Sequence, residues 1–376
     1  MRTIVDIHIL QTVPPSNLNR DDTGSPKTAT FGGVRRARVS SQAWKRATRS
    51  AFANELDESE LGVRTKRVVE LIAKQVMQLD PEVAPESAIG AAEKVFTAAK
   101  IKVKEPRGKK GASPESSYLL FLSAQQVAAL AELAVESLRA GVEPDTKMVQ
   151  ALIKGKNSVD LALFGRMVAD VSDLNVDAAC QVAHAISTHG VEAEYDYFTA
   201  VDDEKSRQAD EDAGAGMIGT VEFNSATLYR YATIDADRLL DNLGDIEAVR
   251  RAVAAFLRAF AKSMPTGKQN TFANRTLPDA VVVCVRGDQP VSFVGAFEEP
   301  IKDAASGGRV LRSAEKLAEY AQDVFAAFGA DPIKAWVTGV GAAGEALTGL
   351  GEKVGFAELV DQSASLAFDR LVDGRS

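Results

Sequence analysis

The sequence predicts an α+β fold of the split βαβ kind, and three observations predict it. The chain opens on an alternating strand, Thr3 to Leu10, with Val5, Ile7 and Ile9 on one face and Asp6 and His8 on the other. A first helix is followed by a long stretch rich in Ala, Leu, Val and Glu at helical periodicity, from about Asp57 to Cys180. β-type residues then return, and helix, strand and helix follow. Strand, helix, insertion, helix and strand is the order such a module requires.

Each element has its own reason. Gln11 to Gly33 is rich in Pro, Asn, Asp and Gly and reads as a loop. Ser40 or Ser41 is placed to cap a helix running to about Asn54, because a serine hydroxyl accepts the first unpaired N–H groups. On that helix Gln42, Lys45, Arg46 and Arg49 share one face, and Trp44, Ala47 and Ala51 line the other. Pro81, Pro85, Pro106, Pro114 and Pro144 punctuate a mainly helical lobe. Within it Lys100 to Lys110 is a basic stretch beside Gly108, Gly111 and Pro114, which predicts an exposed loop. Tyr195 to Val201 and Thr220 to Ile234 flank the acidic Asp202 to Asp212, which predicts a long hairpin arm. Arg238 to Ser263 reads as an amphipathic helix, Ala280 to Arg286 as a buried strand and Arg312 to Phe328 as a helix. Beyond Pro300 the Gly-rich tail has no anchor.

A chain of 376 residues allows two or three modules and a sizeable core. With 45% hydrophobic and 26% charged residues it belongs to the soluble globular class. Two cysteines, Cys180 and Cys284, and three histidines, His8, His184 and His189, are too few for a zinc ribbon or a disulfide framework. A reducing cytoplasm is the expected compartment. The longest apolar run, Ala280 to Val285, is far short of the ~20 residues of a membrane span. Asp6 and His8 interrupt any signal-peptide core. No membrane partner is expected. Lys and Arg number 44 against 52 Asp and Glu, a net charge of −8. Yet Lys27 to Asn54 carries seven bases (Lys27, Arg35, Arg36, Arg38, Lys45, Arg46, Arg49) and no acid. A local anion site on an acidic body is the consequence.

Phe31-Gly32-Gly33 leads into Arg35, Arg36, Arg38 and the serine-capped helix, so flexible backbone, guanidinium forks and free N–H groups are expected to converge on phosphate. Gly339-Val340-Gly341-Ala342-Ala343-Gly344 matches G-x-G-x-x-G. Only 32 residues follow it and no second strand is evident, so a loose C-terminal loop is expected instead of a dinucleotide site. His184 and His189, read as helical, lie too far round to chelate one metal; Cys180 and His184 share a face without further ligands. No metal, cofactor or catalytic residue is expected. Asp21 and Asp22 are an acid pair in the first loop, read as solvated or paired with Arg20.

Leu18-Asn19-Arg20-Asp21-Asp22, Phe31-Gly32-Gly33, Arg35-Arg36, Arg38 and Ser40-Ser41-Gln42 closely resemble the CasC family, the backbone subunit of the type I-E CRISPR Cascade complex. The resemblance continues through Asp160 to Met167, Ala183-His184-Ala185-Ile186, Thr188 and His189, and Asp196 with Phe198 to Asp203. Gly219-Thr220, Glu222-Phe223, Tyr229-Arg230-Tyr231-Ala232 and Gly267-Lys268-Gln269 complete it. It implies an RRM-like (ferredoxin-like) palm with a helical fingers insertion and a β-hairpin thumb. On this chain the palm is 1–56, 181–190 and 223–376, the fingers 57–180 and the thumb 191–222.

It further implies a cytoplasmic, non-catalytic scaffold for antiviral defence. Further copies of the chain coat a CRISPR RNA guide beside other Cascade subunits, and target DNA (the protospacer strand) pairs with that guide. The positions matching RNA contacts are Arg20, Lys27, Ser40, Gln42, Lys45, Arg46 and Arg49. Met167, Phe198 and Thr199 match the thumb region that wedges between nucleotides, although Leu161, Phe164 and Met167 alone recur at helical spacing and read as core. A rival is a target-RNA-cleaving backbone subunit using a loop aspartate, Asp21 or Asp22. Thr3 to Leu10 lacks the usual aromatic RNP pattern, so recognition is expected to run through backbone phosphates and to tolerate any guide sequence.

Overall fold

The computed structural model describes residues 2–108, 111–200, 217–303 and 308–374 of a mixed α+β fold. The acidic segment Asp202 to Asp212, Lys109 and Lys110 lie outside the described residues. The chain divides into two units: Met1–Ser50, Val182–Thr233 and Phe256–Ala367 form the first, and Ala51–Gln181, Ile234–Ala255 and Phe368–Ser376 the second. No described helix is long and apolar enough to cross a membrane.

The first unit is built on a sheet around strand β1 (Ile4–Ser16). β1 pairs antiparallel with Ala280–Arg286, Ile4 opposite Arg286 and Leu10 opposite Ala280. From one edge the order is Glu352–Lys353, Lys334–Gly339, Ala280–Arg286, β1, Met217–Asp235, Ala185–Ser187, β3 (Val34–Val39) and β2 (Thr28–Phe31). The alternation in β1 is real, but both faces are buried. The Leu10 face packs against Tyr229, Tyr231, Val282, Phe293, Phe297 and the helix Arg309–Phe328 through Leu317 and Ala321.

Burying that face forces its polar residues to find partners inside. Asp6 accepts from Arg286 Nε at 2.9 Å, from Tyr231 Oη at 2.8 Å and from Val291 N at 2.9 Å; Asp6 and Arg286 are fully buried. His8 stacks on Phe293, ring centres 4.3 Å apart, and its Nδ1 lies 2.9 Å from Tyr229 Oη. Burial pushes His8 down to about 3, so it is neutral. With this face covered, no open platform for stacked bases remains there.

Three expectations change. Gln11 to Gly33 is not wholly loop: β1 continues to Ser16, and β2 and β3 form a hairpin turned by Gly32 and Gly33, both at positive φ. A two-residue turn of that kind matches strand twist and demands glycine. Gly32 has a second reason, since a Cβ there would lie 1.7 Å from the Glu298 carbonyl oxygen. The C-terminal glycines are not in a loose loop: Lys334–Gly339, a short helix Gly341–Ala346 and Glu352–Lys353 follow in order, and the two strands pair in parallel. Gly339 and Gly344 are glycines because their backbones touch, a Cβ on Gly339 falling 2.6 Å from the Gly344 Cα. Finally, Arg238 to Ser263 is two helices, Ala236–Leu243 and Ile246–Lys262, interrupted at Gly244 with φ +75.

In the second unit Val68–Leu79, Pro85–Ala98, Ala124–Ala140 and Thr146–Lys154 pack around Ile72, Val76, Phe96, Leu130 and Val149. Ser123 caps its helix in a reciprocal box with Gln126, and Gly141 ends it in the left-handed region. The predicted helical stretch also carries two small antiparallel ladders, Gly62–Thr65 with Leu120–Ser123 and Val103–Lys104 with Glu115–Ser116. One strand of the second, Val103–Lys104, lies inside what reads in sequence as a basic loop.

Candidate nucleic-acid interface

Helix α1 (Ser41–Ala51) begins where expected: Ala43 N donates to the Ser40 hydroxyl at 3.3 Å. Ser40 N in turn donates to Asn19 Oδ1 at 2.9 Å, Lys27 N to the Asn19 carbonyl at 2.8 Å and Arg38 N to the Lys27 carbonyl at 2.9 Å. Asn19 therefore ties the Arg20 loop, Lys27, β3 and the helix start together. Trp44 and Thr48 point inward. Under Trp44 lies a buried cation, Arg230, with its guanidinium 3.7 Å from the Trp44 ring and 4.5 Å from the Phe260 ring; Nη1 donates to Gln11 Oε1 at 2.5 Å. Desolvation lowers Arg230 to about 9.

This anchoring leaves the other side of α1 outward. Gln42 and Arg46 are exposed; Lys45 and Arg49 are half-buried at their stems. Arg20 is exposed and forms a bridge with Pro26, while Lys27 and Arg38 line a shallow groove with Leu18, Asn19 and Asn224. His184 Nδ1 is 3.1 Å from Arg38 Nη1, and its pKa is held down by burial first and then by Arg38 and Lys27. Among the described residues Lys27, Lys45 and Arg46 form no ion pair. The structure thus gathers Arg20, Lys27, Ser40 and the α1 face into one region of the first unit, with Ser40 buried as a cap.

Several expected roles change here. Arg36 does not join the cationic face. It is fully buried, and its nitrogens donate to the carbonyls of Phe31 at 3.2 Å, Ser187 at 3.0 Å, Phe297 at 2.9 Å and Glu298 at 3.2 Å. Gly32 and Gly33 make the turn of the β2–β3 hairpin. His184 and His189 flank the strand Ala185–Ser187, so helical spacing does not apply. Buried His189 accepts from Thr227 N at 3.1 Å through Nε2. Asp21 does not pair with Arg20; it holds its own turn, accepting from Thr23 Oγ1 at 2.7 Å, Thr23 N at 2.9 Å and Ser25 N at 3.0 Å. The Thr23 hydroxyl is the main cause that lowers its pKa. Asp22 is exposed. Among the described residues no three His, Cys, Asp or Glu side chains converge as a metal site would.

Met167 lies in the second unit. The helix Val159–Phe164 stops at Gly165, φ +78, where a Cβ would meet the Val176 carbonyl oxygen at 2.8 Å. Met167 leaves the helical register and is 81% exposed, so it is not core. Phe198 and Thr199 lie in the first unit on the arm Glu194–Ala200, which pairs with Met217–Asp235. Phe198 is opposite Gly219, where a Cβ would lie 2.4 Å from its ring, so the ring covers the glycine and remains 37% exposed. Thr199 faces the other way, with Tyr195 and Tyr197.

The sequence reading missed Lys268 as a candidate contact. Gly267 approaches Leu18 so closely that a Cβ would be 2.2 Å from its carbonyl oxygen, so Lys268 follows directly on a residue packed two positions before Arg20. The signal was the Gly267-Lys268-Gln269 run.

Solved structures similar to this chain include two surveillance-complex chains. One, described as "CRISPR RNA-guided surveillance complex, pre-nicking", is 37% identical, with a TM-score of 0.86 over 97% of this chain and 100% of that one. The other, "CRISPR RNA-guided surveillance complex", is 33% identical, with a TM-score of 0.76 over 96% and 99%. No curated protein matches the chain. The profile of CT1975-like proteins matches residues 5–362, and on that near-complete span the chain belongs to the CT1975-like family.

Proposed function

We propose that the chain is a non-catalytic, CRISPR-RNA-binding scaffold of a type I-E surveillance complex, in which copies line up along the guide and support its pairing with target DNA. In this reading the sheet of the first unit is an RRM-like palm, the helical unit supplies the fingers, and the arm of Glu194–Ala200 and its partner strand is the thumb; the complex works in the cytoplasm. One observation carries it: among the described residues half-exposed Lys27 and Lys45 and exposed Arg46 have no acidic partner, on a protein of net charge −8. Cations left unpaired on an acidic body are kept for an external anion. A row along one helix suits phosphates, and phosphate contacts tolerate any guide sequence.

Counterion release supplies the test. Each phosphate neutralised on a single strand contributes about −0.7 to the log–log salt slope of binding. Replacing Lys45, Arg46 and Arg49 with Ala should flatten that slope by roughly 2 per subunit and weaken unrelated guides alike. An unchanged slope would mean the face is merely solvated.

A further inference from the structure

We propose that His184 is a further guide contact: it takes up a proton as a guide phosphate enters the groove of Lys27 and Arg38, and so ties guide binding to pH. The proposal rests on the scaffold reading and adds a residue and a regulation to the same site.

His184 is exposed, yet its backbone is fixed on both sides. Ala183 N donates to the Tyr231 carbonyl at 2.9 Å, and Ala185 pairs with Val39 on β3. This sets the imidazole against Arg38, 146 positions earlier, with Nδ1 3.1 Å from Arg38 Nη1. A guanidinium only donates, so Nδ1 is the acceptor and carries no proton. His184 is therefore neutral in the free protein, with its hydrogen on Nε2. Arg38 Nε donates to the Thr28 carbonyl at 3.2 Å. Among the described residues neither Arg38 nor Lys27 forms an ion pair.

The charged groups that act on the imidazole are Arg38 on β3 and Lys27 just before β2, both cations; among the described residues no carboxylate does. On the neighbouring strand Met217–Asp235, Tyr229 and Tyr231 are engaged with His8 and Asp6, and Cys180 is buried. Burial first, and then the two cations, hold His184 below the ordinary 6.5. Protonating it alone would set two donors face to face and add a third positive charge. A phosphate among the three groups reverses this, because its oxygens accept from Arg38, Lys27 and the new Nδ1–H. The proton comes from solvent, since a phosphodiester is already ionised. Proton and phosphate bind together, and each strengthens the other. The bound guide raises the His184 pKa above its free value, so the added affinity is present below the free pKa and is lost as pH rises through the bound one.

Binding of a short single-stranded RNA at about pH 5.5, 6.5 and 7.5 tests this. Wild-type affinity should rise about tenfold from the highest to the lowest pH, and calorimetry in two buffers of different ionisation heat should show proton uptake on binding. His8 and His189 are held down by burial, His8 to about 3, so neither supplies this signal. His184→Gln should leave thermal unfolding unchanged and abolish both effects. His184→Lys should bind at the highest pH as tightly as wild type binds at the lowest. Wild-type binding that ignores pH, or an equal pH dependence in His184→Gln, would overturn the contact and leave the scaffold reading standing. An effect confined to the same sequence as DNA would give the residue to the target strand and overturn the guide assignment. RNA bound by neither protein at any pH would sink the scaffold reading itself and this contact with it.

Discussion

Arg36 and Arg46 are ten residues apart in the same acid-free segment, and their surroundings give them opposite jobs. Arg36 is held by four backbone carbonyls, so Arg36→Ala leaves them unpaired in the interior and should cost about 3 kcal/mol or more in denaturant unfolding. Arg46→Ala should stay within about 0.5 kcal/mol, because the residue is exposed. Equal costs would refute the division of labour. His8 supplies a pH test. Its folded pKa, about 3, lies below the ordinary 6.5, so below pH 6.5 the unfolded chain takes up a proton that the folded chain refuses. Stability is intact above 6.5 and is lost as pH falls towards 3, by about 2 kcal/mol between pH 6.5 and 5. Comparing wild type with His8→Phe by thermal unfolding should isolate that slope, and parallel curves would refute the assignment.

At the scale of elements, a helix end and a hairpin decide whether apolar residues are core or reach outward. Gly165 ends its helix two residues before Met167, which helical spacing would have put in the core, and the arm leaves the Phe198 ring resting on a glycine. Met167→Ala should therefore leave stability within about 0.5 kcal/mol, against 2–5 kcal/mol for a methionine lost from a core. If Met167 and Phe198 act as wedges, the double alanine variant also alters pairing at periodic guide positions, read by base-by-base chemical probing of the assembled complex. A large loss of stability with normal probing would refute the wedge.

At the scale of the whole molecule, the question is scaffold or nuclease. Asp21 spends one carboxylate oxygen on its own turn, and Asp22 stands next to it in the solvent. Incubating the guide-bound protein with complementary RNA and magnesium should leave that RNA intact. Regularly spaced cuts abolished by Asp22→Ala would replace the scaffold reading with the nuclease one. A native mass measurement with and without guide RNA should show several copies only when RNA is present.

The sequence by itself determined what depends on near neighbours. The alternation of β1, the cap at Ser40, the two faces of α1 and the unbroken apolar strand Ala280–Arg286 are set by periodicities of two and 3.6, which every short segment carries within itself. The hairpin arm was legible for the same reason. Contacts between distant segments were not. Arg36 is buried because Ser187 and Phe297, 151 and 261 positions away, offer their carbonyls to it. Gly267 lies against Leu18 and Asn17 because it lacks a Cβ and lets two distant backbones touch. Asp6 and His8, the polar side of the alternation in β1, are buried because Tyr231, Arg286, Val291 and Phe293, distant in sequence, pack on them. The parallel strand at Glu352–Lys353 is only two residues long and exists through its partner alone. Charge and periodicity are local properties of a chain; which charges stay outside is decided by what packs over them, and that is tertiary.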